Sequence, residues 1–186
     1  IIYQHGRYQI PAIPELLLAS VVGMAEMVRM DSPRLLPRVF SRIWVVASLA
    51  SIASFLLIGA STYARDVAFI ETEMVAGAYW VRDHTPNDAI VASHDIGALG
   101  YFSGRRVRDL AGLIDPEIIP YLTDEDRLAQ WLDEVGVDYV MTMQRFTPRI
   151  VAEHPDAVVY TSPYAVSTSI GYDKTLILRW GRDAAP

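Results

Sequence analysis

The histidines are the first residues to consider, because imidazole is both a common acid–base group and a frequent metal ligand. Three of the four histidines are His84, His94 and His154, and Asp95 comes directly after His94. A helical zinc site would place two histidines four residues apart, and these three show no such spacing. The sequence therefore predicts surface or capping roles for them, and neither a metal site nor a cofactor.

Two aspartates flank a short turn after a predicted strand. Asp109 and Asp115 lie at the end of that strand, where α/β sheets often hold ligands. Because proline follows Asp115, the pair is interpreted first as turn-forming. Gly97 and Gly100 lack the third glycine of a dinucleotide loop and are interpreted as packing or turn residues.

A third polar group lies near the beginning of the chain, where His5, Arg7 and Tyr8 precede an apolar stretch. A guanidinium group can bind a phosphate with two parallel hydrogen bonds, and tyrosine is common at the membrane–water interface. These three residues are therefore the candidate substrate-binding residues, for a lipid-linked phosphate. The alternative is that Arg7 only extends to the lipid headgroups.

Two apolar stretches predict membrane helices. Ile43 to Ala64 is a run of 22 residues without a charge, and about 20 apolar residues are needed to cross a bilayer. The earlier stretch, Tyr8 to Val28, also reads as a span, although it contains two prolines and two glutamates. The alternative interpretation of the earlier stretch is an interfacial or re-entrant segment. The alternative for the later stretch is a buried core helix.

The charges between the two stretches predict the orientation. Residues 29–42 contain four arginines and one aspartate, and short cationic loops remain on the cytoplasmic side. The sequence therefore predicts a multi-pass protein of the plasma (inner) membrane, with residues 66–186 outside the cytoplasm. Because the chain starts without methionine or a signal peptide, we expect it to be a fragment with further spans upstream.

The part after the apolar run is acidic. Residues 65–186 carry 11 basic and 19 acidic side chains, within a chain of net charge −6. This balance argues against a nucleic-acid partner and against adhesion to anionic lipid headgroups. The chain contains no cysteine, so it has neither a disulfide framework nor a thiolate nucleophile.

The pattern after residue 65 alternates helices and strands. An amphipathic helix is predicted over Asp66–Asp83, with Glu73 off its apolar face, and a second firm helix over Asp124–Glu134, with Asp124 as its cap. Shorter helices are predicted after a cap at Asp95 and from Thr147-Pro148 to Glu153, and a polar loop is predicted between the last two strands. Strands are predicted over 89–93, 106–110, 138–143, 157–161 and 175–180. We therefore expect an α-helical membrane segment with two spans (1–65), followed by a small α/β domain (66–186). Its sheet should be mixed and mostly parallel, with an antiparallel edge at the end.

Three segments together resemble a known family: His5–Pro14 before the first span, Ala78–Phe102, and Asp109–Pro116 with the sequence Asp-Leu-Ala-Gly-Leu-Ile-Asp-Pro. In this order they resemble the C-terminal end of bacterial GT-C type membrane glycosyltransferases. That family is similar in architecture to dolichyl-phosphate-mannose protein mannosyltransferases. The resemblance covers most of residues 5 to 116, and beyond it only the layout matches.

The resemblance implies transfer of a hexose or pentose from a polyprenyl-phosphate donor to a glycan, lipid or protein acceptor outside the cytoplasm. In that family the catalytic carboxylates lie in an early extracytoplasmic loop, so no catalytic residue is assigned within this chain. Arg7 is the one position assigned to lipid-phosphate contact. Two alternatives stay open, an extracytoplasmic binding module of a membrane sensor or transporter and a soluble α/β enzyme with an apolar core helix.

Overall fold

The structure is a computed structural model that describes residues 11–29 and 34–181, without side chains at 27–29. The chain divides into two compact units, Ile1–Thr62 and Tyr63–Pro186. The sequence-based boundary at residue 65 lies three residues further along the chain. Each unit is described by itself below.

The first unit is helical where it is described. Helix α1 spans Ile13–Arg29, and helix α2 spans Leu35–Phe69 and continues into the second unit. Among the described residues, one helix is long and apolar enough to cross a membrane, and it runs without a break from Leu35 to His84. Its most apolar 18 residues have a mean hydropathy of 2.2, and none of them is buried.

Two expectations for this region need adjustment. Helix α1 forms where the first span was predicted, but it has 17 residues, so the count of two spans is not confirmed. Leu35 to Arg42, which the sequence assigned to the arginine-rich loop 29–42, are the first turns of α2. The helix extends backwards from the apolar run because no proline or glycine lies between Pro37, in its first turn, and Ile43.

The helix that enters the second unit is continuous with α2. A π-helical segment, Ile70–Val75, follows α2, and helix α3 then spans Ala76–His84. The whole range Asp66–Asp83 is thus helical, as predicted, although it contains a π-helical segment and continues from α2. The wider π-helical turn also shifts the helical period, because each of its hydrogen bonds reaches back five residues instead of four.

The second unit contains a five-stranded mixed sheet. Its strands are β1 (Ile90–Ser93), β2 (Arg106–Asp109), β3 (Tyr139–Met143), β4 (Val158–Thr161) and β5 (Thr175–Arg179), in the spatial order β2-β1-β3-β5-β4. Strand β1 is parallel to β2 and β3, whereas β5 is antiparallel to β3 and β4. The predicted mixed sheet is thus confirmed. The antiparallel strand differs from the expectation, because it lies inside the sheet instead of at its edge.

Short helices connect the strands: α4 (Ile96–Phe102), α5 (Glu125–Glu134), α6 (Pro148–Glu153) and α7 (Val166–Ser169). The predicted caps at Asp95 and Asp124 are confirmed, since their carboxylates accept from the backbone N–H of Gly97 and Arg127. Thr147 occupies the predicted N-cap position of α6, with Pro148 in the first turn, but its buried hydroxyl bonds that of Thr142 at 2.9 Å and makes no capping bond. The segment predicted as a polar loop between β4 and β5 contains α7.

The core lies on both faces of the sheet. On one face, α3 and α4 bury Val81 and Leu99 against Met141 of β3. On the other face, α5 buries Leu132 against Val140 of the same strand. All five residues of β3 are buried, as expected for a central strand covered by helices on both sides.

Leu132→Ala should lower the free energy of unfolding of the second unit by about 2–5 kcal/mol, because it leaves a cavity in the core. The matched control is Leu113→Ala, whose side chain is exposed and should change stability by less than about 0.5 kcal/mol. Urea unfolding of the detergent-solubilised chain, followed by tryptophan fluorescence, measures both. Equal effects of the two variants would contradict this assignment of the core.

Candidate functional site

The candidate site lies at the carboxyl ends of β1 and β3, which are neighbours in the sheet. The chain leaves β1 towards β2 on one side and leaves β3 towards β4 on the other. Such a switch point is the usual place for ligands in open α/β sheets. A small cavity of roughly 20 Å³ is found here, lined among others by Ser93, His94, Thr142, Phe146 and Thr175.

His94 is one of two ionisable residues in the wall of this cavity, the other being Asp95. Its imidazole stacks on Phe146, with ring centroids 4.7 Å apart and ring planes 13° apart. Its Nδ1 atom is buried and has no hydrogen-bond partner among the described residues. Burial lowers the pKa of His94, and the nearby Asp109 carboxylate opposes this by a smaller amount. The surface role predicted for His94 holds only in part, because its side chain is intermediate in exposure and its Nδ1 atom is buried.

Glu73 is the functional candidate that sequence reasoning missed. It was placed on the polar face of the predicted helix, but its side chain is fully buried. The π-helical segment that carries it shifts the helical period, so periodicity could not reveal this burial. One carboxylate oxygen accepts from the backbone N–H of Thr175 at 2.8 Å. The other oxygen, and the Thr175 hydroxyl, have no partner within the described part of the chain.

The size of the cavity limits its chemistry. About 10–15 Å³ is enough for one water molecule, whereas substrate pockets usually have about 300–1,000 Å³. A water molecule in this cavity can reach His94 and Thr175, which both line it. The cavity is thus large enough for about one water molecule and too small for a sugar.

The loop after β2 uses its aspartates to hold the backbone. The buried Asp109 carboxylate accepts from the backbone N–H groups of Ala111, Leu113 and Ile114. Asp115 accepts from the backbone N–H of Asp109 at 2.8 Å and from Arg108 at 3.2 Å. The turn-forming role predicted for Asp109 and Asp115 is confirmed.

The remaining sequence candidates lie apart from this cavity. His84 is exposed and its Nδ1 lies 3.0 Å from the carbonyl of Trp80, and His154 packs edge-on against Trp180. Within residues 11–29 and 34–181, no three His, Asp or Glu side chains are grouped as for a metal ion. Gly97 and Gly100 both lie in α4 instead of a turn: the N–H of Gly97 donates to the capping Asp95, and a Cβ on Gly100 would contact nothing within 4 Å.

Two wider clefts occur elsewhere in the second unit. One, of about 370 Å³, is lined by Pro86, Asp138 and Arg179 at the amino ends of β1 and β3. The other, of about 810 Å³, is lined by His154, Asp133 and Trp180, among others. Two of their carboxylates have structural partners, since Asp138 accepts from the backbone N–H of Ile90 and Asp133 from the Trp180 indole.

His5, Arg7 and Tyr8 lie outside the described residues. Their assignment to lipid-phosphate contact therefore stays a prediction.

Gly112→Ala should destabilise the second unit by at least about 1–2 kcal/mol. Gly112 has a φ of +80°, and a Cβ atom there would lie 2.7 Å from the Cγ1 atom of Ile119. The matched control is Gly100→Ala in α4, where alanine should add about 0.5–1 kcal/mol of stability. Denaturant unfolding measures whether each substitution raises or lowers the free energy of unfolding. Destabilisation by both substitutions would contradict the assignment of strain to Gly112.

His94 should make stability depend on pH near neutrality. Because its pKa in the folded state is below the ordinary value of about 6.5, the unfolded state binds more protons just below that pH. Its contribution is complete above about pH 6.5 and is lost as the pH falls towards the lowered pKa. His94→Asn should flatten the pH dependence of the unfolding free energy over this window. An unchanged slope would contradict the burial of a neutral imidazole.

One family model matches the chain, over residues 60–182, and it is described as a domain of unknown function, DUF8728. The match covers about two thirds of the chain and includes the whole five-stranded sheet with its connecting helices. No curated protein and no solved structure matches the chain. By the extent of this match, the chain belongs to the DUF8728 family.

Proposed function

We propose that the chain is the C-terminal region of a multi-pass membrane glycosyltransferase. In this proposal the enzyme transfers a hexose or pentose from a polyprenyl-phosphate donor to a glycan, lipid or protein acceptor. The observation that carries the proposal is the joint occurrence of an apolar helix, an α/β unit that follows it directly, and the motif series described above. The GT-C type enzymes that the chain resembles combine the same parts.

The surface of α2 supports the membrane part of the proposal. Large apolar side chains on every side of this helix are exposed, including Phe55, Leu57 and Ile58. Helices that are apolar all round are found in lipid or in the cores of large proteins. The arginine-rich segment 29–42 would remain cytoplasmic, which places the α/β unit outside the cytoplasm.

The apolar surface of α1 supports a second span. Leu16, Leu17, Leu18 and Val21 are all exposed in this helix. Its 17 residues rise by about 25 Å, which is close to the ~30 Å of the hydrocarbon layer.

The α/β unit has a supporting role in this proposal. The cavity at the carboxyl ends of its strands fits one water molecule, so the sugar chemistry is assigned to residues upstream of this chain. Arg7 is the residue of this chain proposed to contact the donor phosphate.

A second candidate function is an extracytoplasmic binding module of a membrane sensor or transporter. The clefts of about 370 and 810 Å³ favour it, because their volumes are in the range of small-molecule sites. If the natural full-length protein carries the same motifs but transfers no sugar, that result would favour the binding function over the glycosyltransferase.

Arg7→Ala in the natural full-length protein should reduce kcat/KM for the donor about 10- to 100-fold. This range corresponds to about 1.5–3 kcal/mol for a charge-assisted hydrogen bond to phosphate. Arg7→Lys should be intermediate, because lysine keeps the charge and loses the two-pronged geometry. Polyprenyl-phosphomannose and polyprenyl-phosphoarabinofuranose in proteoliposomes are the donors to assay. The control, Arg106→Ala, removes an exposed arginine of β2, and unchanged kinetics with Arg7→Ala would remove Arg7 from the site.

A further inference from the structure

We propose that the carboxyl edge of the sheet in the α/β unit lies in the lipid headgroup interface, with Leu113 and Ile114 inserted as an apolar anchor. The carboxyl edge means the segments after β2, β3 and β4, which end on the same side because these strands are parallel. The inference rests on the membrane part of the proposed function and is independent of sugar transfer.

Exposed apolar side chains are concentrated at this edge. The segment after β2 exposes Leu113, Ile114 and Ile119, the segment after β3 exposes Phe146, and the segment between β4 and β5 exposes Tyr164 and Tyr172. Exposed apolar groups that are clustered, as these are, usually mark an interaction surface.

The tip of the edge is held in shape by the loop after β2. Three backbone N–H groups of this loop donate to the Asp109 carboxylate, and Gly112 provides the left-handed turn before Leu113. The Leu113 side chain is 80% exposed and Ile114 is 60% exposed. A well-bonded loop thus exposes two adjacent aliphatic side chains. The hydrogen bonds of the loop do not require apolar residues at these two positions.

The entry of the chain into the unit identifies lipid as the occupant. The uncharged run ends at Ala64, and Arg65 and Asp66 are the first charges after it. From Ala64 the helix rises about 14 Å to Glu73, whose carboxylate bonds the first residue of β5 at the carboxyl edge. Within the second unit, the helical segment that follows the last uncharged residue therefore reaches the sheet at this edge.

The aromatic residues of the edge fit the same environment. Tyrosine is enriched at membrane interfaces, where its ring contacts the apolar layer and its hydroxyl remains hydrated. The Arg145 guanidinium lies 4.5 Å from the ring centre of Tyr172, so a cation accompanies the aromatic ring. Since the unit is acidic overall, the contact is apolar in origin and should not require anionic lipids.

Single-cysteine labelling tests the proposal, and the absence of native cysteine makes each label specific. The full 186-residue chain carries an NBD fluorophore at Leu113→Cys, and is reconstituted in phosphatidylcholine vesicles. Tyr101→Cys is the matched control, because this side chain is 83% exposed and lies in the last turn of α4, the end of that helix that is further from the carboxyl end of β1. Leu57→Cys reports on insertion of α2.

The label at position 113 should be quenched several-fold more by doxyl-labelled lipid than the label at 101, and several-fold less by aqueous iodide. The label at 57 should be quenched by the lipid quencher only. Equal iodide access at 113 and 101, with 57 in lipid, would overturn the edge proposal and leave the span intact. Shielding of 113 from both quenchers would overturn it in favour of a protein contact, such as a second copy of the chain. Iodide access at 57 would overturn the span and the edge proposal together.

Discussion

The solvent around α2 is the constraint on which the remaining features depend. Side chains such as Phe55 and Leu57 have no protein contacts to bury them in the described structure, and water is a poor solvent for so much apolar surface. Lipid is the solvent that the proposal assigns to this helix. The α/β unit must then fold on its own core, and it does so with two separate clusters of buried residues, one on each face of β3.

Buried polar groups organise the carboxyl edge of that unit. Asp109 and Asp115 satisfy backbone N–H groups of one loop, and Glu73 ties the incoming helix to β5. A buried carboxylate is stable only with such partners, so these residues hold the connections in one arrangement. His94 completes the edge as a largely buried imidazole stacked on Phe146. These polar residues therefore hold the carboxyl edge in one conformation. The cavity beside them is too small to bind a sugar.

Local signals in the sequence predicted local features well. The five strands, the caps at Asp95 and Asp124 and the turn at Asp109 follow from alternation, capping chemistry and proline placement. Features set by non-local pairing were missed. Strand β5 inserts between β3 and β4, and no local pattern encodes that choice. The burial of Glu73 was missed because one π-helical segment changes the helical period.

The most direct measurement is alkaline carbonate extraction of membranes from cells that express residues 1–186. If lipid surrounds α2, the chain remains in the membrane pellet, because extraction at high pH removes only peripheral proteins. Release of the chain as a soluble, monodisperse protein would contradict the membrane assignment, and it would show that protein contacts cover the apolar surface of α2.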